Sequence, residues 1–360
     1  MTGHVTPPAV GARPQIRSLR TEAIAIVLLV CAVVTGCSST TPPGSSGAAN
    51  SATASAGRVN VRIASLQGPT TMGLVKLMND SKQGRATQNY QVSMYGSPDQ
   101  VVPKITSGDA DIALIPSNLA AVLYNKTHAA TGAKIQVAAI NTLGVLEVVE
   151  AGDTVHSFAD LKGKTIYSTG KGTTPEYVTE YLLTRNGLNP TTDVTVNYLS
   201  EATEVAAVLA KTPGAIGIVP QPFVTQLENQ DHSVRSALSL TDEWARVSPD
   251  SELITGVTVV STAFASNHPQ ALADFLADDR SSIAFTNEHP EDAGKLIAAQ
   301  GIVSSAAVGQ KAIPACNIHY IDGSQMRSEL DGYLSVLLKA DPNSVGGSLP
   351  GGDFYLGAAS

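Results

Sequence analysis

The sequence is poor in cysteine, in aromatic residues and in charge. Three of its 360 residues are cysteine, aromatics make up 5% and charged residues 15%. Beyond Cys37 only Cys316 remains, so the body of the chain cannot form an intrachain disulfide. Few aromatics argue against a site that stacks on sugars, although Tyr95, Tyr124, Tyr177 and Phe223 could still contribute to a pocket. A net charge of −8 argues against nucleic acid and against a polybasic membrane contact. The histidines, at 4, 128, 156, 232, 268, 289 and 319, show no H-x-x-x-H or H-x-H spacing, so a metal site has no support. Glycine, lysine and Ser/Thr never take the P-loop spacing, which argues against ATP chemistry within this chain. No repeat of solenoid type is present.

What is present begins with a separate N-terminal object. Arg13, Arg17 and Arg20 precede an apolar run from Ala23 to Val34, which ends in Val34-Thr35-Gly36-Cys37. A basic flank, about a dozen apolar residues and a small-residue exit make a secretory signal, too short to span a bilayer comfortably. The small residues before Cys37 resemble the lipobox of bacterial lipoproteins. By that resemblance residues 1–36 are a signal peptide, and Cys37 becomes the lipid-carrying N-terminus, holding the protein outside the cytoplasm at the membrane. Residues 37–58 are almost wholly Ser, Thr, Pro, Gly and Ala after the cysteine, which reads as a flexible tether. Removal of residues 1–36 leaves 20 Lys and Arg against 30 Asp and Glu, so the mature body is acidic.

From Val59 a strand-then-helix pattern recurs. Strands are expected at 61–66, 90–95, 111–115, 165–168, 194–199 and 215–219, with helices at 69–79, 98–107 (stopped by Gly108), from Ser117, at 175–186, at 202–210 and from Pro222-Phe223. That alternation implies an α/β fold of mostly parallel, right-handed βαβ units. Two apolar runs are too long or too interrupted for one sheet. Ile135–Val149 carries Asn141-Thr142-Leu143-Gly144 in its middle, and Ser251–Ser261 carries Thr255-Gly256. They read as two hinge strands joining lobe 1 (residues 59–142 and 257–360) to an inserted lobe 2 (145–254). From Pro269 the chain is expected to be mostly helical, ending in a Gly/Pro-rich tail.

Most of this body resembles an ABC-transporter substrate-binding protein of the type II periplasmic-binding fold, nearest to the nitrate/sulfonate/taurine-type branch. The resemblance is carried by Gly68-Pro-Thr-Thr-Met-Gly-Leu-Val-Lys-Leu-Met78, Gly96-Ser97-Pro98-Asp99, Ile115-Pro116-Ser117-Asn118 and Ser157-Phe158-Ala159-Asp160-Leu161-Lys162-Gly163-Lys164. Thr169-Gly170-Lys171-Gly172-Thr173-Thr174-Pro175 and Pro220-Gln221-Pro222-Phe223 complete it. It implies a monomer whose two lobes close on one small molecule, without cofactor, and deliver it to a membrane permease driven by an ATPase. Two other readings stay open: a ligand-sensing lipoprotein without a transporter, and an exported enzyme on the same fold. The pyrimidine-precursor synthases of this fold would bring a cysteine-rich iron site, which is absent. The menaquinone-pathway dehydratases work in the cytoplasm, whereas this chain carries an export signal.

In open parallel sheets, ligands sit beyond the carboxyl ends of the strands, where helices begin and present unpaired N–H groups. Candidate ligand contacts are therefore Gly68, Thr70, Thr71 and Met72 after the first strand, Ser97 before Pro98, and Ser117 and Asn118 after the third. In lobe 2 they are Lys171, Thr173, Thr174 and Gln221. Hydroxyls, amides and helix ends outnumber cations, which permits a small sulfonate or carboxylate or a neutral heterocycle; a multiply charged oxyanion more often recruits arginine. Asp109 and Asp111 read most simply as turn chemistry, Cys316 as a buried inert thiol, and Glu147 as facing either the cleft or the solvent side of its strand.

Overall fold

The computed structural model describes residues 57–357; the basic flank, the apolar run, Cys37 and the tether up to residue 56 lie outside the described residues. β1 (Asn60–Leu66) buries Val61 and Ile63 on one face and runs into Gly68-Pro69. The helix expected over 69–79 is broken in two: a single turn, α1 (Pro69–Met72), and α2 (Val75–Lys82). The cause lies far along the chain. The Ser282 hydroxyl donates to Gly73 O at 2.5 Å and accepts from Leu77 N at 3.1 Å, standing where one helical bond would be. Gly73 is hemmed in as well, since a Cβ there would lie 2.9 Å from Ile283 Cγ1.

The next elements follow the expected pattern: β2 (Asn89–Tyr95), α3 (Pro98–Ser107), β3 (Ile112–Pro116), α4 (Ser117–Thr131) and β4 (Ile135–Thr142). Proline at the first helical position and Gly108 at φ 81° bound α3, as local sterics require. After residues 143–145 the chain enters a second sheet through β5 (Leu146–Ala151). There follow β6 (Thr165–Ser168), α5 (Thr174–Arg185), β7 (Thr195–Tyr198), α6 (Ala202–Leu209), β8 (Ile216–Pro220), α7 (Phe223–Gln230), β9 (Val234–Ser239) and α8 (Leu240–Val247). The return leads through β10 (Gly256–Ser261), α9 (Thr262–Asn267), α10 (Pro269–Glu288), α11 (Pro290–Ala299), α12 (Ala306–Ala312), β11 (Ile318–Ile321) and α13 (Gly323–Ala340).

Residues 251–255, expected as part of a strand, join no ladder. Leu253 and Ile254 are buried, but side chains take the carbonyls there: Trp244 Nε1 donates to Ser251 O at 2.8 Å and Ser117 Oγ to Ile254 O at 2.5 Å. The second crossing is thus a segment pinned by side chains from both of its flanks.

The strands form two sheets, ordered β2-β1-β3-β10-β4-β11 and β7-β6-β8-β5-β9. Most strands within each sheet run the same way, and the strand that has just crossed from the other sheet, β10 or β5, is wedged antiparallel between parallel neighbours. Both crossings therefore end in the middle of a sheet, where each new strand gains two ladders. Trp244 of α8 packs on Tyr333 of α13 with ring centroids 5.3 Å apart, so one aromatic pair ties helices flanking the two sheets. The Gly/Pro-rich tail is anchored too: Asn125 Nδ2 donates to Val345 O and Ser348 O at 2.7 Å each, and Tyr355 bridges to Val137.

Candidate functional site

The strand-to-helix turns of both sheets meet at one cleft. The six-stranded half supplies Leu66, Gln67, Pro69 and Thr70 between β1 and α1, Gly96 and Pro98 before α3, and Pro116 before α4. The five-stranded half supplies Thr169, Gly170, Thr173, Thr174 and Pro175 around the start of α5, Ser200 and Ala202 at α6, and Pro220 and Phe223 at α7. The crossing segments add Val145, Leu146 and Thr255. The cleft's interior volume is about 130 Å³, below the range on the order of 300–1,000 Å³ typical of drug-sized sites.

Local rules explain why these turns can approach each other. Gly68 at φ 137° and ψ −149° occupies backbone space closed to other residues, which lets the chain leave β1 sharply, and its open side faces Phe223 of the other half. Among the hydrogen bonds that bridge the halves are Thr174 Oγ1 to Asn118 Oδ1 at 3.1 Å and Ser304 N to Gln226 Oε1 at 3.1 Å.

Of the residues singled out from the sequence, Thr70, Thr173 and Thr174 line this cleft. Each hydroxyl proton is already used within the protein: Thr70 donates to Leu66 O at 2.9 Å, Thr173 to Gly170 O at 2.6 Å, and Thr174 to Asn118. Gly68 shapes the turn without lining the space. Ser97 is half-buried at the start of α3, between the lining residues Gly96 and Pro98.

The others are placed elsewhere. Thr71 points inward, with its hydroxyl 2.6 Å from both Leu66 O and Ser65 Oγ, and closes the turn rather than facing the cleft. Met72 is fully buried, its sulfur 3.6 Å from Cys316 Sγ. Ser117 and Asn118 are fully buried and bond to Ile254 O and Ser344 O. Gln221 precedes a cis peptide bond to Pro222, and its side-chain oxygen accepts from Thr225 N and Thr225 Oγ1 at 3.2 and 2.8 Å, capping α7. Lys171 is exposed and stands over the Tyr198 ring, 5.9 Å from its centroid, away from the cleft lining.

Sequence reasoning named Phe223, which lines the cleft, but missed the rest of the apolar part of the site. Five prolines, Pro69, Pro98, Pro116, Pro175 and Pro220, line the cleft, and none of the described lining residues carries a charged side chain. The signal was present, since each of these prolines sits where a helix starts or a strand ends. Glu201, at the start of α6, brings a carboxylate against Gly96 of the opposite half: a Cβ on that glycine would fall 2.2 Å from Glu201 Oε1.

Other titratable candidates lie outside the site. Asp111 receives Arg62 at 2.5 and 3.0 Å and fixes the edge of the β1–β3 pairing. Burial raises the Cys316 thiol, which keeps it protonated. Burial also pushes Glu147 up to about 7, against a bond from Ser236 at 3.0 Å, with Asp242 and Glu228 adding to the rise. Among the described residues, no group of three His, Cys, Asp or Glu side chains could hold a metal ion.

No curated protein matches the chain. Among solved structures, an ABC transporter from Parabacteroides distasonis is 25% identical with a TM-score of 0.66, covering 82% of this chain and 98% of that one. The alkanesulfonate-binding protein SsuA from Xanthomonas axonopodis pv. citri, bound to MOPS, is 16% identical with a TM-score of 0.61, over 81% of this chain and 94% of that one. The periplasmic nitrate-binding protein NrtA from Synechocystis PCC 6803 is 13% identical with a TM-score of 0.58, over 80% and 84%. The last two establish the shared two-lobed periplasmic-binding fold. At the level of family the assignment is direct: residues 82–303, more than half of the chain, match the periplasmic substrate-binding proteins of phosphonate ABC transporters, and the chain belongs to that family.

Proposed function

We propose that the protein captures one small molecule between two closing lobes, residues 59–142 with 257–360 and residues 145–254, and hands it to its permease while anchored through a lipid on Cys37. Family membership makes it the extracytoplasmic substrate-binding component of an ABC importer, and members of that family are binding proteins, not enzymes. The observation that carries the finer reading is the convergence of strand-to-helix turns from both sheets on one cleft, with the chain crossing between the halves just twice. Two crossings leave two bending points, and a ligand touching both halves favours the closed state by its contacts with each. The ligand is a small anionic or polar heterocyclic molecule, the range that the hydroxyls, amides and helix ends of the candidate loops permit.

Mass spectrometry of natively purified protein should reveal one small molecule released intact on denaturation. Small-angle scattering should show expansion when that molecule is stripped and compaction when it is returned. No released molecule, together with no scattering change, would defeat the proposal.

A further inference from the structure

Resting on that reading of the cleft, we infer that the ligand is an oxyanion taken up singly charged. An oxyanion that ionises once, such as a sulfonate, enters as it stands. One that ionises twice, such as a phosphonate, enters in its hydrogen form, with one oxygen still protonated. Three observations lead there.

Donors are present for one charge. Thr70 and Thr174 line the cleft, and neither backbone N–H has an acceptor among the described residues. The hydroxyls of Thr169 and Ser200, also in the lining, have no acceptor there either. Thr174 N–H belongs to the first turn of α5, so the positive end of a twelve-residue helix stands behind it. Hydrogen bonds from such groups to an ionised oxygen are stronger than those between neutral partners, and they replace the water that one anionic charge gives up on entering.

A second charge finds no counterpart. None of the described lining residues is charged, and the charges around the cleft are mostly negative. Glu201 lies against Gly96, Asp99 stands in the first turn of α3 and Glu176 in that of α5, while Lys171 is turned to the Tyr198 ring. The cost of taking an ion out of water grows with the square of its charge, whereas the return from a fixed set of neutral donors grows only in proportion to it. A dianion therefore loses where a monoanion is held.

The lining holds acceptors as well. A hydroxyl has one proton to give and two lone pairs. Thr70 and Thr173 have given their protons to Leu66 O and Gly170 O, so what their oxygens offer the cleft is acceptor capacity. The protonated oxygen of a hydrogen phosphonate can donate to one of them while its other oxygens accept from the free donors. A fully ionised phosphonate has no proton to give and sets its lone pairs against theirs.

Pairs of matched shape test this: methylphosphonate against methanesulfonate, and propylphosphonate against propanesulfonate. Each probe is titrated by calorimetry into the natively refolded, ligand-stripped protein from about pH 5.5 to about pH 8.5, across the second ionisation of a phosphonate, which like that of a phosphate ester lies near neutrality. Over that range phosphonate affinity should fall by about tenfold relative to the sulfonate of the same length, because only the hydrogen form is competent. The sulfonate keeps its single charge throughout, so its curve reports any titration of the protein itself. At the alkaline end each phosphonate bound should take up about one proton, read from the dependence of the binding enthalpy on buffer, and each sulfonate none. Ser200→Lys, which exchanges an exposed hydroxyl for an ammonium, should flatten the phosphonate curve severalfold by improving binding at the alkaline end. Parallel curves within a pair, phosphonate binding without proton uptake, a sulfonate that binds at the acid end where its phosphonate partner does not, or no binding by any probe overturns the inference. An unchanged phosphonate slope in Ser200→Lys overturns the role given to the missing cation. A phosphonate that binds equally well across the range and compacts the protein in scattering would overturn the inference while leaving the import proposal intact. Purified protein that releases no molecule counts against the import proposal instead.

Discussion

Thr174 donates its hydroxyl proton to the Asn118 side-chain oxygen across the interface between the two halves, with both residues almost completely buried. Asn118 in turn donates to Ser344 O at 2.9 Å, so the bond continues from α5 through α4 into the anchored tail. The buried Tyr333 hydroxyl lies beside Thr174 and Ser117 and makes no hydrogen bond of normal geometry. Separating the two halves at this point would expose all of these groups to water.

Thr174→Val keeps the shape of the side chain and deletes its proton. The Asn118 oxygen is then buried without a donor, which costs about 1–3 kcal/mol. The expected result is a lower melting temperature and a larger radius of gyration in scattering, with Thr174→Ser restoring most of both. A Thr174→Val protein that is as compact and as stable as the parent would refute the assignment.

Gly144 lies in the first crossing segment, and a Cβ there would fall 2.1 Å from Thr241 Oγ1 and 2.9 Å from Thr241 Cβ. The Cβ is fixed to the first turn of α8 and cannot swing away, so the backbone must yield. Gly144→Ala should cost roughly 1–3 kcal/mol through overpacking, measured by urea unfolding. Trimming the neighbour in Gly144→Ala/Thr241→Ala should recover part of that loss, and a double variant no better than the single one would count against the contact.

Asp279 is a fully buried carboxyl on α10 with one oxygen unpartnered, and burial pushes its pKa up to about 7. The folded chain therefore keeps this proton while the unfolded chain releases it near the ordinary carboxylate value, about 4. Stability from this source is fully present below that value and is lost as pH rises through about 7. Glu147, raised by burial to about 7, acts with the same sign. Melting temperature should fall between pH 5 and pH 8 by more in the parent than in Asp279→Asn, whose side chain carries no charge at either pH. Parallel curves for the two proteins would show that Asp279 does not titrate in this window.

Cys316 is fully buried with its sulfur against Met72, and burial holds the thiol protonated. Iodoacetamide should leave the Cys316 peptide unmodified in native protein at pH 8 and alkylate it in urea, as read by peptide mass spectrometry. Rapid native modification would place that region in a more open state than the one described.

Much of the fold was legible because its signals are local. Pro98 and Gly108 mark the two ends of α3 through φ restraints that act within a few residues, and β6 runs from Thr165 to Ser168 as its flanking sequence suggests. The break in the Ile135–Val149 run was legible for a related reason, since Asn141-Thr142 and Gly144 interrupt the apolar pattern, although Asn141 and Thr142 still belong to β4 and only residues 143–145 leave the ladder. The split of the first helix was not legible, because its cause, Ser282, lies 205 residues from Leu77 along the chain. β9 and α8 escaped notice because half-exposed strands and short helices carry weak periodicity; their positions are settled by pairing with β5 and by the seat of Trp244.

Sequence alone determined that this chain alternates strands and helices, where many of them stop, and which turns hold hydroxyls and prolines. Those properties follow from backbone sterics and spacing over a few residues. Tertiary structure decided which hydroxyls reach the cleft: Thr70 faces it, whereas its neighbour Thr71 turns inward to Ser65. It also decided that Lys171 stays outside and that Glu201 meets Gly96. These outcomes depend on the rotation of each turn and on partners contributed by the opposite half, and spacing along one strand of sequence carries neither.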